Sequence, residues 1–280
     1  MKLLYGKPVA EKILSRLKGD ISLCEKKPGL AVILVGDDRA SQIYVSLKEK
    51  TAKEIGMNFF RFDFAKKISE YEVLKQIEKL NVDADVNGII VQLPLPEGFD
   101  TQKIITSIDP EKDADGFHPT NTELFLKGEN GITPVFPRAI MYLIESSGEQ
   151  LSGKKGIVIA NSEYFGKIMC AMLERENITS QYLLAESILS ELGQIRGADI
   201  VVSAVGSPGL VNGEMLKDSA IVVDGGIEKA GERIVGDVDF GSTKENIGHI
   251  TPVPGGVGPV TIACLLENTL LAFKAQQKEK

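Results

Sequence analysis

The sequence predicts an α/β fold with two α/β domains flanking a cleft, the second of them a Rossmann-like parallel sheet. Apolar strand-like runs alternate with helical patterns, as is typical of βαβ units and mostly parallel sheets. This alternation restarts at GIVIAN (156–161), after a helical stretch at 137–148. We therefore expect domains over residues 1–140 and 141–258, with the C-terminal helical segment 259–280 packing back on the first domain.

Each expected strand is a short, mainly apolar run, and each expected helix repeats apolar residues at helical spacing. The strands are expected at 30–36, 57–64, 86–96, 156–161, 180–184, 198–206 and 220–227. The helices are expected at 37–56, 68–81, 137–148, 165–178 and 260–277. Strands joined through helices in this way run parallel, with helices covering the sheets.

Composition indicates a soluble, cytoplasmic protein that does not bind nucleic acid. Hydrophobic residues make up 43% and charged residues 25% of the 280 residues, and the net charge of −7 leaves no basic excess for nucleic acid. We find neither a signal peptide at the N-terminus nor a run of 18 apolar residues, so we expect no membrane partner. The scattered Cys24, Cys170 and Cys264 predict reduced thiols, and the two histidines, His118 and His249, make a metal site improbable.

Candidate catalytic groups lie on the helix at 37–56 and after the strand that follows. The helix places Tyr44 and Lys48 four residues apart, on one face. This pair fits a surface lysine beside a tyrosine, or a lysine whose pKa burial lowers for acid–base work. Gln92, in VQLPLP (91–96), lies at the carboxyl end of a buried strand, where ligands bind in open sheets. It fits equally an amide that only caps the loop backbone.

Three loops are candidate binding segments. DPEKDADGFHP (109–119) is rich in carboxylates that either bind a ligand or are simply solvated. TPVPGGVGPVTIA (251–263) suits close approach of its backbone to a ligand. VIANSEYFGK (158–167) reads as the strand, turn and helix start that bind a phosphate, although Ala160 stands where a glycine would let a pyrophosphate approach.

Five motifs together resemble the bifunctional methylenetetrahydrofolate dehydrogenase/cyclohydrolase family, over essentially the whole chain. They are YVSLK, VQLPLP, DPEKDADGFH, VGDVDF (235–240) and ITPVPGGVGP (250–259). The resemblance implies oxidation of 5,10-methylenetetrahydrofolate to 5,10-methenyltetrahydrofolate with NADP, and hydrolysis of the product to 10-formyltetrahydrofolate. It also implies a homodimer, paired through the nucleotide-binding domain.

The resemblance also implies roles for individual residues. Lys48 would activate water and move protons, in a neutral form favoured by burial and by the absence of an adjacent carboxylate. Gln92 would hydrogen-bond Lys48, Tyr44 would position the folate, and Asp115 would accept hydrogen bonds from the pterin. The implied folate-binding residues are Tyr44, Lys48, Val91, Gln92, Leu93, Asp115, Pro254, Gly255, Gly256, Val257 and Gly258. The implied cofactor-binding residues are Ala160, Asn161, Ser162, Gly166 and Ile227.

The departures from the family pattern lie on the cofactor side. The turn lacks the usual arginine, the expected partner of the NADP 2′-phosphate, so NADP binding should weaken about ten- to a hundredfold. The other departures are Leu184 and Ala185 for histidine–serine, Val135 and Phe136 for cysteine–threonine, Ile168 for proline, and the bulky Tyr164 and Phe165. Ser162 and Gly166 remain, so the turn should still form.

These departures leave three alternatives open. Glu186 either binds ribose hydroxyls and marks a change to NAD, or is a solvated glutamate that starts a helix. The second alternative is that the dehydrogenase activity has been lost, which would leave a monofunctional cyclohydrolase. A non-catalytic folate-binding homologue is a third alternative, although the retained Lys48 argues against it.

Overall fold

The computed structural model describes residues 1–129, 131–231, 233–243 and 247–278. Its helices are α1 (Gly6–Ser22), α2 (Arg39–Glu54), α3 (Glu70–Val82), α4 (Thr101–Thr106), α5 (Pro119–Leu126), α6 (Val135–Glu145), α7 (Glu163–Glu174), α8 (Leu192–Arg196) and α9 (Val257–Lys278). Its strands are β1 (Lys2–Leu3), β2 (Gly29–Val35), β3 (Asn58–Phe64), β4 (Gly88–Val91), β5 (Lys155–Ala160), β6 (Thr179–Leu184), β7 (Ile200–Ala204), β8 (Ile221–Asp224), β9 (Glu228–Ala230), β10 (Arg233–Val235) and β11 (His249–Ile250).

The expected α/β fold is confirmed, and each expected strand and helix forms, with ends displaced by a few residues. The described residues form two compact units: Met1–Ala10 with Phe136–Thr261, and Glu11–Val135 with Ile262–Lys280. The expected first domain, 1–140, included the first ten residues. In the structure these residues belong with the second sheet, because β1 pairs with β11.

The unit containing Glu11–Val135 is built on a three-stranded parallel sheet in the order β3-β2-β4. All seven residues of β2 are buried, because helices cover both faces of its sheet. Helix α2 follows β2 after three residues, and the Asp38 carboxylate caps it by accepting from Ser41 N at 2.7 Å. The carboxyl ends of β2 and β4 share one edge of the sheet, which brings the start of α2 and the residues after β4 to that edge.

Helix α9 contributes to the core of this unit from Ile262 onward. It is long and apolar enough to cross a membrane by length and composition, but 72% of its most apolar window is buried within the protein. Its polar groups are also bound: Glu267 pairs with Arg16, and Gln276 Nε2 donates to Asn87 O at 3.2 Å. These contacts are those of a helix in a protein core.

The other unit is built on a six-stranded parallel sheet in the order β1-β11-β8-β7-β5-β6. The chain moves from β5 outward to β6, then returns to the other side of β5 to form β7 and β8. The strand order therefore reverses between β5 and β7, and open α/β sheets bind ligands at the carboxyl ends of strands beside such a reversal. The helix α7 joins β5 to β6 and packs against both strands.

Candidate functional site

Lys48 and Gln92 meet at the carboxyl edge of the three-stranded sheet. The half-buried Lys48 Nζ donates a hydrogen bond to Gln92 Oε1 at 2.8 Å, so the expected bond between them is confirmed. Gln92 Nε2 donates to Leu93 O at 2.7 Å, which orients the amide with its oxygen towards the lysine. Gln92 N also donates to Ile33 O at 2.8 Å, fixing the residue at the end of β4. The lysine is thus held by a neutral acceptor.

The electrostatics of Lys48 combine two opposing effects. Burial lowers the Lys48 pKa, while the charge of Asp115 acts in the opposite direction. The expected neutral form is thus favoured by burial and opposed by the charge of Asp115. Asp115 lies in the DADG loop (113–116), where Ala114 N donates to Ile89 O at 3.3 Å and brings the loop beside β4.

Asp115 has a pKa raised to about 6. Burial is the main cause, the charge of Asp113 raises the pKa further, and the charge of Lys48 lowers it. A base whose pKa is lowered and an acid whose pKa is raised thus act on each other electrostatically. Both groups change protonation at less energetic cost near neutral pH than they would in water, which suits them to proton transfer.

Asp113 has a different task from Asp115. It is 2% exposed, and its carboxylate accepts from Gly116 N at 3.2 Å, His118 N at 2.8 Å and Asn121 Nδ2 at 3.0 Å. Gly116 has a φ of +74°, a conformation that suits glycine. Asp113 therefore closes the loop on itself, and is neither of the two expected kinds of carboxylate, ligand-binding or solvated.

Asn268 of α9 also anchors this loop, a role that the sequence analysis missed. Its Nδ2 donates to Ala114 O at 2.9 Å and to Thr133 O at 2.8 Å. The available signal was a polar amide inside an apolar helical run. Asn268 thus holds the loop backbone. The Asp115 carboxylate has no hydrogen-bond partner among the described residues and is available to a ligand. The Tyr44 hydroxyl, one helical turn before Lys48 and half-buried, is equally unengaged within the described chain.

The loop rich in glycine and proline at the start of TPVPGGVGPVTIA (251–263) belongs to the other compact unit. Gly255 has a φ of +104°, and its carbonyl accepts from Gly6 N at 2.8 Å. Helix α9 begins directly after it, at Val257. Of the expected folate-binding residues, the structure thus groups Tyr44, Lys48, Val91, Gln92, Leu93 and Asp115 in one unit, and Pro254, Gly255, Gly256, Val257 and Gly258 in the other.

The expected strand–turn–helix forms at β5 and α7. Strand β5 ends at the buried Ala160, Asn161 is exposed, and the Ser162 hydroxyl caps α7 by accepting from Phe165 N at 3.4 Å. A Cβ on Gly166 would lie 2.5 Å from Tyr182 Cγ on β6. Glycine at this position therefore lets the helix approach the sheet closely, as in dinucleotide-binding folds.

Of the bulky residues near this turn, Phe165 and Ile168 pack within the protein, and Tyr164 is exposed. Phe165 packs against Phe136 with ring centroids 5.5 Å apart, so two of the departures from the family pattern contact each other. Ile168 is 2% exposed and fills the core below α7, while Tyr164 is 47% exposed.

The carboxyl ends of β5 and β6 carry acidic groups. Leu184 pairs in register with Ala160, and the exposed Glu186 follows two residues later. Glu163, in the first turn of α7, pairs with Lys167 at 2.8 Å. Ala185 starts the short helical turn that contains Glu186. This edge offers helix N–H groups to a pyrophosphate, but its carboxylates disfavour an additional phosphate. The other expected cofactor residue, Ile227, follows β8 and is 53% exposed.

Comparison with known proteins agrees with this architecture. Two family models match: the catalytic domain of tetrahydrofolate dehydrogenase/cyclohydrolase over residues 4–115, and the NAD(P)-binding domain of the same family over residues 134–277. The bifunctional protein FolD of Geotalea uraniireducens is 41% identical, over 98% of this chain and 99% of that protein.

Two solved structures are similar over nearly the whole chain. The bifunctional enzyme FolD from Campylobacter jejuni has a TM-score of 0.93 at 39% identity, covering 99% of both chains. FolD of Trypanosoma brucei, complexed with NADP cofactor and inhibitor, has a TM-score of 0.93 at 34% identity, covering 99% of this chain and 98% of its own. The chain belongs to the tetrahydrofolate dehydrogenase/cyclohydrolase family.

Proposed function

We propose that the protein carries out two consecutive steps of folate one-carbon metabolism. It oxidises 5,10-methylenetetrahydrofolate to 5,10-methenyltetrahydrofolate with NADP, and hydrolyses that product to 10-formyltetrahydrofolate. The observation that carries the second step is the bond from Lys48 to Gln92, in which a lysine with a lowered pKa is held by an uncharged amide. Asp115, an acid with a raised pKa, acts on this lysine electrostatically.

In the hydrolytic step, neutral Lys48 takes a proton from the water that attacks the methenyl carbon. The bond from that carbon to N5 then breaks, N5 takes up one proton, and the formyl group stays on N10. The overall reaction consumes one water and releases one proton. Gln92 keeps the lysine amine in place without adding charge, so that burial continues to favour the neutral form.

Asp115 binds the pterin in this proposal, and Tyr44 positions it. The carboxylate presents two acceptor oxygens to a donor-rich ring edge, a pairing that is strengthened by charge. The described contacts support this role, because the Asp113 and Asn268 bonds fix the loop and leave the Asp115 side chain unengaged. Val91 and Leu93, on either side of Gln92, would line the same pocket.

In the dehydrogenase step, the bound dinucleotide supplies the hydride acceptor. The residues present fit its pyrophosphate, through the turn at Asn161 and Ser162 and the close packing allowed by Gly166. They fit the 2′-phosphate of NADP poorly, because Glu163 and Glu186 are acidic and Lys167 is already paired. We therefore propose low affinity for NADP, with NAD as the alternative that Glu186 would favour.

Replacing Lys48 with Met tests the hydrolytic role. K48M should abolish the conversion of methenyl- to 10-formyltetrahydrofolate, followed by loss of methenyl absorbance, because no neutral amine remains to accept the proton. The matched control is K50M, which changes an exposed lysine of the same helix and should leave the rate unchanged. Turnover by K48M at the wild-type rate would contradict the assignment.

Titration with NADP+ and NAD+, each with methylenetetrahydrofolate, tests the oxidative step through the absorbance of the reduced cofactor. Turnover with NADP+ supports the proposed reaction, and turnover confined to NAD+ supports the Glu186 alternative. Absence of reduction with either dinucleotide would leave a monofunctional cyclohydrolase.

The proposal extends to assembly and location. We propose a cytoplasmic homodimer without nucleic-acid or membrane partners. Sedimentation of the purified protein would test the homodimer, because it gives the mass of the assembly. We keep 1–140 and 141–258 as approximate extents of the folate-binding and dinucleotide-binding domains, with residues 1–10 added to the latter by the pairing of β1.

A further inference from the structure

The VGDVDF segment (235–240) contains a buried carboxylate to which the proposed function assigns no role. Asp237 is 0% exposed, and its two oxygens accept four hydrogen bonds. Ser203 Oγ and Val205 N each donate to Oδ2 at 2.7 Å. Gly206 N and Ser207 N each donate to Oδ1 at 2.8 Å. Three successive backbone N–H groups thus converge on one side chain, in a loop where Gly206 has a φ of +82°.

A second buried carboxylate completes the arrangement. Asp224, 4% exposed at the end of β8, accepts from Gly226 N at 3.0 Å and from the backbone N–H groups of Asp237 and Val238 at 3.0 and 2.9 Å. A Cβ on Gly226 would collide with the Asp237 carboxylate, and a Cβ on Gly236 would collide with that of Asp224. Each carboxylate therefore lies against a glycine beside the other, and we call these two groups the carboxylate clasp.

The clasp fixes two loops where the sheet is expected to bind its ligand. Residues 205–207 follow β7 and residues 225–227 follow β8, both at the carboxyl edge of the sheet and on the β7 side of the reversal next to β5. The N–H groups of 205–207 all point to Asp237, so this loop has none left for a phosphate. Among the described residues, the Val205 and Gly206 carbonyls accept no hydrogen bond, so the loop offers acceptors.

We infer that Asp237 is a positioning residue for the dinucleotide: it holds 205–207 so that backbone carbonyls meet hydrogen-bond donors of the ligand, its ribose hydroxyls or carboxamide, while α7 receives the pyrophosphate. This inference rests on the proposed dehydrogenase function. It also explains the two glycines, since Gly226 leaves room for the Asp237 carboxylate and Gly236 leaves room for that of Asp224.

The test uses D237N in the full chain. Asparagine has the same shape, but its NH2 group cannot accept the two hydrogen bonds that one carboxylate oxygen accepts. We expect faster amide hydrogen exchange at 205–207 and at least about a tenfold rise in the dinucleotide Kd by calorimetry, because buried donors lose a charged acceptor. Hydrolysis of methenyltetrahydrofolate, which uses Lys48, should stay within about twofold of the wild-type rate. That separation distinguishes positioning from general loss of structure.

The matched control is D239N, which changes an exposed aspartate two residues away and should leave the Kd unchanged. If D237N does not fold, S203A replaces it, since it removes one of the four bonds and should raise the Kd about three- to tenfold. Wild-type affinity in a folded D237N would overturn this inference. Where D237N fails to fold, wild-type affinity in S203A would do the same. Either result would leave the proposed dehydrogenase function standing. A wild-type protein that binds neither NADP nor NAD would overturn the proposed dehydrogenase function and this inference with it.

Discussion

Replacing Gln92 with Glu would place a charge where the structure has an uncharged amide. Lys48 Nζ lies 2.8 Å from Gln92 Oε1, so a glutamate oxygen in the same place would form a close ion pair. At an effective dielectric constant of about 20, two unit charges at that distance attract by about 6 kcal/mol. Desolvation of the new carboxylate offsets part of this, and close opposite charges in proteins commonly change a pKa by about 1 to 3.

Q92E should slow the hydrolysis of methenyltetrahydrofolate at neutral pH. Burial lowers the Lys48 pKa in the wild-type protein, and the Q92E carboxylate would raise it again. At a pH below the Lys48 pKa, raising that pKa by one reduces the neutral fraction of the amine about tenfold. At neutral pH the hydrolysis of methenyltetrahydrofolate should therefore fall by about ten- to a thousandfold, and activity should return as the pH rises.

The assay is the pH–rate profile for loss of methenyl absorbance, compared between wild type, Q92E and Q92M. Q92M removes the hydrogen bond without adding charge, so it should lose rate through poorer positioning while its profile does not move to higher pH. A Q92E profile that coincides with the wild-type profile would refute the requirement for a neutral lysine.

Two further predictions concern stability. His249 is 4% exposed, neither ring nitrogen has a hydrogen-bond partner among the described residues, and burial lowers its pKa below the ordinary 6.5. The unfolded state therefore binds the proton more readily, so His249 contributes a loss of stability as the pH drops below 6.5. In urea unfolding, the stability of H249L relative to the wild type should rise as the pH falls through this range, and a difference that does not change with pH would contradict this. G166A should lower the free energy of unfolding by about 1 to 3 kcal/mol, because the new Cβ meets the Tyr182 side chain at 2.5 to 2.8 Å. G193A, on α8 with nothing within 4 Å of the added Cβ, should be neutral or stabilising, and equal effects at the two glycines would contradict the packing argument.

The sequence was sufficient to predict the features that depend on local periodicity. Helical spacing placed Tyr44 and Lys48 on one face, and the end of an apolar strand placed Gln92 at the ligand-binding edge. Ser162 and Gly166 predicted the turn, since capping and close helix packing are properties of single residues at known positions.

Other features depend on contacts between distant segments, which periodicity does not report. Asp113 and Asp115 are two residues apart in one acidic loop, yet one binds the loop backbone and the other interacts electrostatically with Lys48. The two-residue β1 has too few residues to show alternation, and its pairing with β11 crosses most of the chain. The role of Asp237 was equally hidden, because its partners at 203–207 lie about 30 residues earlier.

The anchoring of the DADG loop by Asn268 has a consequence for how the protein is made. The ribosome synthesises Lys48, Gln92 and Asp115 early, but the amide that holds Ala114 O and Thr133 O emerges only with the last helix. The six-stranded sheet needs only residues 1–10 and 136–261, all of which are translated before that helix is complete. Although domains commonly fold in order from the N-terminus, here the unit with the six-stranded sheet has all its residues translated before the unit with the three-stranded sheet does. The acidic loop of the lysine-containing unit is therefore fully held only once α9 has been translated.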